Sequence, residues 1–237
     1  MSDYLLKAED INAKYGDFHA VQGASFDIKK GEIISVIGTN GAGKSTLMKA
    51  IVGIMKPSGG KVYYKGEDVT GIPTHKLVEM GLIAVPEGGR VFPRMTVLDN
   101  LIMGSYTPKA RKNRDQALER VYSLFPILKE KANQAAGSLS GGQRQMVAIG
   151  RALMSDPELV LFDEISLGLA PTVIKDIYAT IRQINKEGLT VILVEQDVKR
   201  SLKMSTKAYV MLKGKIVLEG NSQELTEEEV KRAYFGI

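Results

Sequence analysis

The chain has 237 residues, with 32 Lys and Arg against 27 Asp and Glu, no cysteine and two histidines. The missing cysteines exclude disulfides, Cys-ligated zinc, iron–sulfur clusters and thiol nucleophiles, and two histidines are too few for a multi-histidine metal site. No uncharged apolar run approaches the roughly 18 residues of a membrane-spanning helix, and the first residues lack the layout of a signal peptide, so we expect a soluble, cytoplasmic chain.

Strands and helices alternate along most of the chain, which predicts an α/β fold with a mostly parallel core sheet. Several runs, of which 33–37 is the first, are almost wholly apolar, as is typical of strands buried on both faces of a parallel sheet. The predicted strands are residues 5–11, 21–28, 32–37, 82–85, 159–162, 190–194, 208–212 and 215–219. The predicted helices are residues 45–52, 143–154, 172–185 and 227–234.

The stretch 96–136 differs from the rest because its apolar pattern is helical and it contains no strand run. No Pro/Ser-rich linker divides the chain, so we expect one domain over residues 1–237. In that domain, residues 1–95 and 137–237 form the α/β core, and residues 96–136 form an inserted helical subdomain.

A glycine-rich loop directly follows the predicted strand 32–37 and fits the pattern G-x-x-x-x-G-K-[ST]. Its glycines let successive backbone N–H groups point at phosphate oxygens, and the following helix adds its positive end. Lys44 places a charge near the β- and γ-phosphates, and the Ser45 hydroxyl is a ligand for Mg²⁺. We therefore predict nucleotide binding by Gly38, Thr39, Asn40, Gly41, Ala42, Gly43, Lys44, Ser45 and Thr46.

Two carboxylates, Asp163 and Glu164, directly follow the apolar strand 159–162. The carboxyl end of a buried strand is where α/β sheets bind ligands. We expect Asp163 to hold Mg²⁺ and Glu164 to polarise the attacking water as a general base.

A second Ser-Gly-Gly element precedes the helix that leads to this strand. It consists of Ser140, Gly141, Gly142 and Gln143, and it is a second backbone anion site at a helix N-terminus. Because one nucleotide needs only one glycine cradle, we expect the second to serve a nucleotide bound by another chain.

The phosphate loop, the segment Leu139–Gln143 and the Asp163-Glu164 pair, in this order along the chain and at this spacing, resemble the ATP-binding cassette of ABC transporters over essentially the whole chain. The resemblance implies a P-loop NTPase fold with an N-terminal antiparallel β subdomain and an inserted helical subdomain, with ATP and Mg²⁺ as cofactors. It also implies that two cassettes pack head to tail, so that ATP lies between the phosphate loop of one and the Leu139–Gln143 signature of the other. By the same resemblance, Tyr15 stacks on adenine.

The chain departs from the common family pattern at four positions. Glu87 stands where most cassettes have a glutamine that touches Mg²⁺ and the attacking water, so we expect it among the magnesium ligands. Gln196 replaces the histidine that contacts the γ-phosphate, and glutamine can donate a hydrogen bond there but cannot become cationic near neutral pH. Ala170 replaces a loop aspartate, and Ile165 stands where a proline is usual.

Glu87, Gln196 and the loop 166–171 together are similar to the second ATPase subunit (LivF type) of branched-chain amino acid importers. That similarity implies an ATPase at the cytoplasmic face of the cell membrane, bound to integral-membrane permease subunits and a second ATPase subunit. It also implies an indirect partner, an extracytoplasmic solute-binding protein.

Two other functions remain open at this point. One is a nucleic-acid- or ribosome-associated ABC ATPase, which the net charge of +5 allows. Such proteins usually carry long coiled coils or two cassettes in one chain, and neither is present, so no nucleic acid is expected as a partner. The other is a P-loop GTPase or small-molecule kinase. The guanine motif Asn-Lys-x-Asp is absent, because Asn185-Lys186 is followed by Glu-Gly.

Overall fold

The structure is a computed structural model that describes residues 4–235. Its strands β1 to β10 are Leu6–Tyr15, Phe18–Ile28, Ile33–Gly38, Gly59–Tyr64, Glu67–Asp68, Leu82–Val85, Leu159–Asp163, Thr190–Glu195, Lys207–Leu212 and Lys215–Asn221. Its helices α1 to α10 are Lys44–Ile51, Thr74–Glu79, Val97–Ile102, Pro108–Lys112, Arg114–Leu124, Pro126–Glu130, Gly141–Leu153, Pro171–Lys186, Val198–Met204 and Glu227–Phe235.

The core sheet has the strand order β10-β9-β3-β8-β7-β6, and only the edge strand β10 runs antiparallel to its neighbour. Every residue of β3 and β8 is buried, which explains their nearly uninterrupted apolar sequences. Since β3, β8 and β7 are parallel and adjacent, their carboxyl ends meet at one edge of the sheet. The predicted α/β fold with a mostly parallel sheet is confirmed.

A second, antiparallel sheet has the order β2-β1-β4-β5 and forms the N-terminal β subdomain. Helix α1 packs on β1 and β2, so the two sheets share one apolar core that includes Leu6, Ile11, Ile34 and Leu47. The sequence analysis missed β4 and β5. The first of these begins with two glycines, which weaken a strand pattern, and its pairing with β1 and β5 defines it.

Short helices α3 to α6 and two 3-10 turns occupy the segment after β6. Their apolar side chains, including Leu101 and Val121, form a second core with α7 and α8. Gly150 lets α3 and α5 approach α7 closely, because a Cβ there would lie 2.8 Å from side-chain atoms of both Leu101 and Val121. The inserted helices therefore position α7, the helix that follows the signature.

The remaining differences from the sequence prediction lie at element ends and in short helices. Helix α7 begins at Gly141 rather than at residue 143, because Ser140 caps it, and the short helices α2 and α9 were not predicted. Within residues 4–235, no helix combines the length and apolarity needed to cross a membrane.

Candidate nucleotide site

The phosphate loop lies between the end of β3 and the start of α1. Gly43 has φ 101°, and a Cβ on it would lie 2.4 Å from the carbonyl oxygen of Ala20, so a side chain is excluded at this position. Helix α1 then begins without a side-chain cap. The first backbone N–H groups of α1 therefore have no side-chain cap, which suits an anion, and their binding of phosphate stays a prediction.

Lys44 is buried and holds the loop together. Its Nζ donates to the carbonyl oxygens of Gly38 at 2.8 Å and Thr39 at 3.0 Å. The same Nζ lies 3.0 Å from Oε1 of Glu164, whose side chain is also buried. The predicted phosphate-binding cation and the predicted general base therefore form a buried ion pair, which sequence reasoning did not foresee.

The three predicted magnesium ligands are near one another: Ser45 contacts Asp163, and the charge of Glu87 acts on Asp163. The Ser45 hydroxyl donates to Oδ1 of Asp163 at 3.2 Å. Burial raises the pKa of Asp163 above its usual value, and the negative charges of Glu164 and Glu87 add to the effect, while Ser45 and Lys44 oppose it. A divalent cation would relieve this repulsion, and hydroxyl and carboxylate oxygens are the ligands that Mg²⁺ prefers.

These oxygens fit a cation that the nucleotide itself helps to hold. Across residues 4–235, no group of three or more His, Cys, Asp or Glu side chains could hold a metal ion. Magnesium is usually bound through one or two carboxylates and takes its other ligands largely from substrate phosphates and water. Ser45, Asp163 and Glu87 suit that arrangement.

Gln196 and Glu164 are in direct contact across the ends of β8 and β7. The Gln196 amide donates to Oε2 of Glu164 at 2.5 Å. Glu164 has φ 46°, a left-handed conformation that costs a non-glycine residue on the order of 1–3 kcal/mol. Its backbone N–H donates to the carbonyl oxygen of Val194 at 2.9 Å, so neighbouring strands hold the strained residue in place.

An open cavity of about 310 Å³ is lined by the phosphate loop from Asn40 to Thr46 together with Glu87 and Glu164. Tyr15, predicted to stack on adenine, lines it with 47% of its surface exposed. Phe18, across the β1–β2 turn, also lines it and is 68% exposed. The sequence analysis missed Phe18, although an aromatic three residues after Tyr15 across a turn was the available signal.

The signature residues Ser140–Gln143 lie at the start of α7. The Ser140 hydroxyl accepts the backbone N–H of Gln143 at 3.3 Å, and the Gln143 side chain accepts that of Ser140 at 3.2 Å, a capping box on α7. Gly141 is exposed, and Gly142 packs tightly against Val173 of α8. None of the four is among the residues that line the described nucleotide cavity. Their service to a second chain's nucleotide stays a prediction.

Comparison with known proteins places this geometry in a family. Residues 21–166 match the family model described as ABC transporter. The chain is 44% identical to the high-affinity branched-chain amino acid transport ATP-binding protein BraG of Pseudomonas aeruginosa, over 98% of this chain and 100% of that protein. It is 34% identical to the probable branched-chain amino acid transport ATP-binding protein LivF of Archaeoglobus fulgidus, over 95% of each chain.

Solved structures agree. An ATP-binding cassette of an ABC transporter in its ADP conformation superimposes with a TM-score of 0.82 at 31% identity, covering 98% of this chain and 94% of that one. A nucleotide-free cassette superimposes with a TM-score of 0.81 at 30% identity, covering 99% and 96%. Since the family model matches well over half of the chain, this protein belongs to the ABC transporter family and is one of its ATP-hydrolysing cassettes.

Proposed function

We propose that this chain is the ATP-hydrolysing subunit of a branched-chain amino acid importer and works at the cytoplasmic face of the cell membrane. The observation that carries the proposal is the 44% identity, over nearly the whole of both chains, to a protein named for branched-chain amino acid transport. Glu87 and Gln196, which depart from the common cassette pattern, support the same subgroup.

The contacts suggest a division of roles in hydrolysis. Lys44 exchanges its bond to Glu164 for the β- and γ-phosphates, because a dianionic phosphate is the stronger partner for its charge. Glu164, released from Lys44, accepts a proton from the attacking water. Gln196 keeps its hydrogen bond with Glu164 and presents a donor to the γ-phosphate. Ser45, Asp163 and Glu87 would hold Mg²⁺, which would supply neutralisation of phosphate charge.

The signature implies a dimer. Ser140 caps α7 and lies outside the described nucleotide cavity, so ATP held by this chain leaves the Ser140–Gln143 cradle free for a second chain's nucleotide. We infer a head-to-tail pair with a second ATPase subunit.

A groove beside α7 is suited to permease subunits. Phe92, Met103 and Tyr106 are exposed apolar side chains that line a cavity of about 230 Å³. The Arg151 guanidinium lies 5.1 Å from the Phe92 ring centre and donates to the Arg90 carbonyl, which holds the rim of the groove in place. Exposed clustered apolar residues mark interaction sites, so an apolar helix end of a permease is the occupant we propose.

Phe92→Glu combined with Met103→Glu is expected to weaken assembly with the permease by at least about 100-fold, because two charges would be buried against an apolar partner. ATP binding by the isolated subunit should not change. The matched control is Ile54→Glu, which also places a charge on an exposed apolar side chain but lies outside the groove. Co-purification and titration with detergent-solubilised permease measure the difference. Normal assembly by the double variant would contradict the docking site.

Removing the aromatic pair beside the phosphate loop is expected to weaken nucleotide binding. Tyr15→Ala and Phe18→Ala should each cost about 1–3 kcal/mol of ATP affinity if both rings contact the base. Calorimetric titration with ATP and with inorganic triphosphate separates base stacking from phosphate binding, since only the ATP affinity should fall. Tyr106→Ala, an exposed aromatic outside this cavity, is the control. An equal loss for triphosphate would assign the rings to loop structure.

Transport itself is tested by reconstitution with permease subunits, sister ATPase and binding protein in liposomes. We expect ATP-driven uptake of labelled leucine, isoleucine or valine, and none of arginine. ATP-driven uptake of another solute alone would reject the proposed substrate class. Salt-sensitive binding to DNA or RNA would instead favour the nucleic-acid alternative.

A further inference from the structure

A buried carboxylate, Glu195, lies at the end of β8 directly before Gln196, and the proposed hydrolysis by Lys44, Glu164 and Gln196 gives it no role. It is 3% exposed on a strand whose other positions are mostly Val, Ile and Leu. Within residues 4–235, no Lys, Arg or His side chain lies within 4.0 Å of its oxygens. A carboxylate in such a position destabilises the fold unless its hydrogen bonds compensate. Stability therefore does not explain why a carboxylate occupies this position, and a functional role does.

Two hydroxyls satisfy this carboxylate. Tyr178 of α8 donates to Oε1 at 2.5 Å, and Ser166 of the loop after β7 donates to Oε2 at 2.9 Å. Burial nevertheless raises the pKa of Glu195, although Tyr178, Ser166 and the nearby Arg200 oppose the shift. Glu195 therefore ties together three separate parts of the chain.

These contacts belong to a set that links the segment after β7 to the end of β8. Glu164 and Ser166 stand two residues apart on one segment, and Glu195 and Gln196 are neighbours on the other. Gln196 donates to Glu164, Ser166 donates to Glu195, and the Glu164 backbone N–H donates to the carbonyl of Val194. Three cross-links thus hold the two segments in register, at the residue whose backbone is strained.

We infer that Glu195 is a positioning residue for hydrolysis: through Ser166 and Tyr178 it holds Gln196 and Glu164 in the geometry needed to activate water. This role rests on the proposed function of Glu164 and Gln196. Glu195 is not among the residues that line the described nucleotide cavity, and its effect runs through the two neighbouring segments. Because small displacements of a catalytic group lower rates strongly while leaving binding intact, the effect should appear in kcat.

The test is steady-state ATP hydrolysis by the full chain, with ATP binding and thermal unfolding measured in parallel. Glu195→Ala is expected to lower kcat by about 10- to 100-fold while KM for ATP changes by less than about 2-fold. Glu195→Gln should recover most of the rate. The amide oxygen accepts a hydrogen bond from one hydroxyl, and the amide nitrogen donates to the other hydroxyl, which then acts as an acceptor. Ser166→Ala, which removes one hydroxyl from a half-buried loop, should lower kcat by about 3- to 10-fold without unfolding.

Thr180→Val is the matched control. Thr180 also carries a buried hydroxyl on α8, but it donates to the carbonyl of Asp176, and its removal should leave kcat unchanged.

Glu164→Gln separates the positioning role of Glu195 from the proposed function of Glu164. If Glu164→Gln is inactive but Glu195→Ala and Ser166→Ala hydrolyse normally, the positioning role is wrong and the proposed function stands. If Glu164→Gln hydrolyses normally, the proposed function of Glu164 is wrong. A Glu195→Gln variant as slow as Glu195→Ala would also overturn the positioning role.

Discussion

Glu164→Gln is expected to slow ATP hydrolysis by about 10²- to 10⁴-fold, the contribution typical of a general base, while ATP binding is retained or tightened. The structure adds the reason for tighter binding. Lys44 lies 3.0 Å from Oε1 of Glu164, and a neutral glutamine competes with phosphate for that lysine less well than a carboxylate does. Single-turnover hydrolysis and equilibrium ATP binding measure the two effects separately. Sedimentation in the presence of ATP should show accumulation of a closed dimer.

The control for this variant is Glu158→Gln, at the residue immediately before β7 and therefore at the opposite end of the strand. Glu158 forms an ion pair with Lys65 at 2.5 Å near the surface, so Glu158→Gln should leave the rate of ATP hydrolysis unchanged. Near-normal turnover by Glu164→Gln would remove Glu164 from the role of base. Weakened ATP binding by the same variant would show instead that the carboxylate supports the phosphate loop.

Lys44→Met is expected to lower ATP affinity by at least about 100-fold, because it removes the cationic side chain proposed to bind the phosphates. The same change should destabilise the nucleotide-free fold by about 3–5 kcal/mol, since the buried Glu164 carboxylate loses its ion-pair partner. Chemical denaturation without nucleotide isolates the second effect from the first.

A double variant and a surface control sharpen this prediction. Lys44→Met with Glu164→Gln leaves neither charge buried, so the free energy of unfolding should recover most of its loss while ATP affinity stays low. Lys49→Met alters an exposed lysine on the same helix and should change neither quantity. If the double variant is as unstable as Lys44→Met, the loss comes from the loop carbonyls of Gly38 and Thr39 rather than from Glu164.

The fold was predictable where its signals are local. Nearly uninterrupted apolar runs, as in β3 and β8, predict buried parallel strands because both faces of such strands are covered. The helical pattern of 96–136 was equally clear and marks the inserted helices. In contrast, β4 and β5 needed their pairing partners, since two glycines and a two-residue strand carry little pattern of their own.

The sequence by itself determined the family, the phosphate loop and the two carboxylates after β7, because each is a run of neighbouring residues whose spacing encodes backbone geometry. Only the tertiary structure decided which charges meet. Ser45 and Asp163 are 118 residues apart and Gln196 and Glu164 are 32 apart, yet each pair is in contact because parallel strands end at one edge of the sheet. Phe18 at the nucleotide cavity and Glu195 next to Gln196 have the same origin: packing between distant segments gives these side chains their surroundings, and no local pattern predicts it.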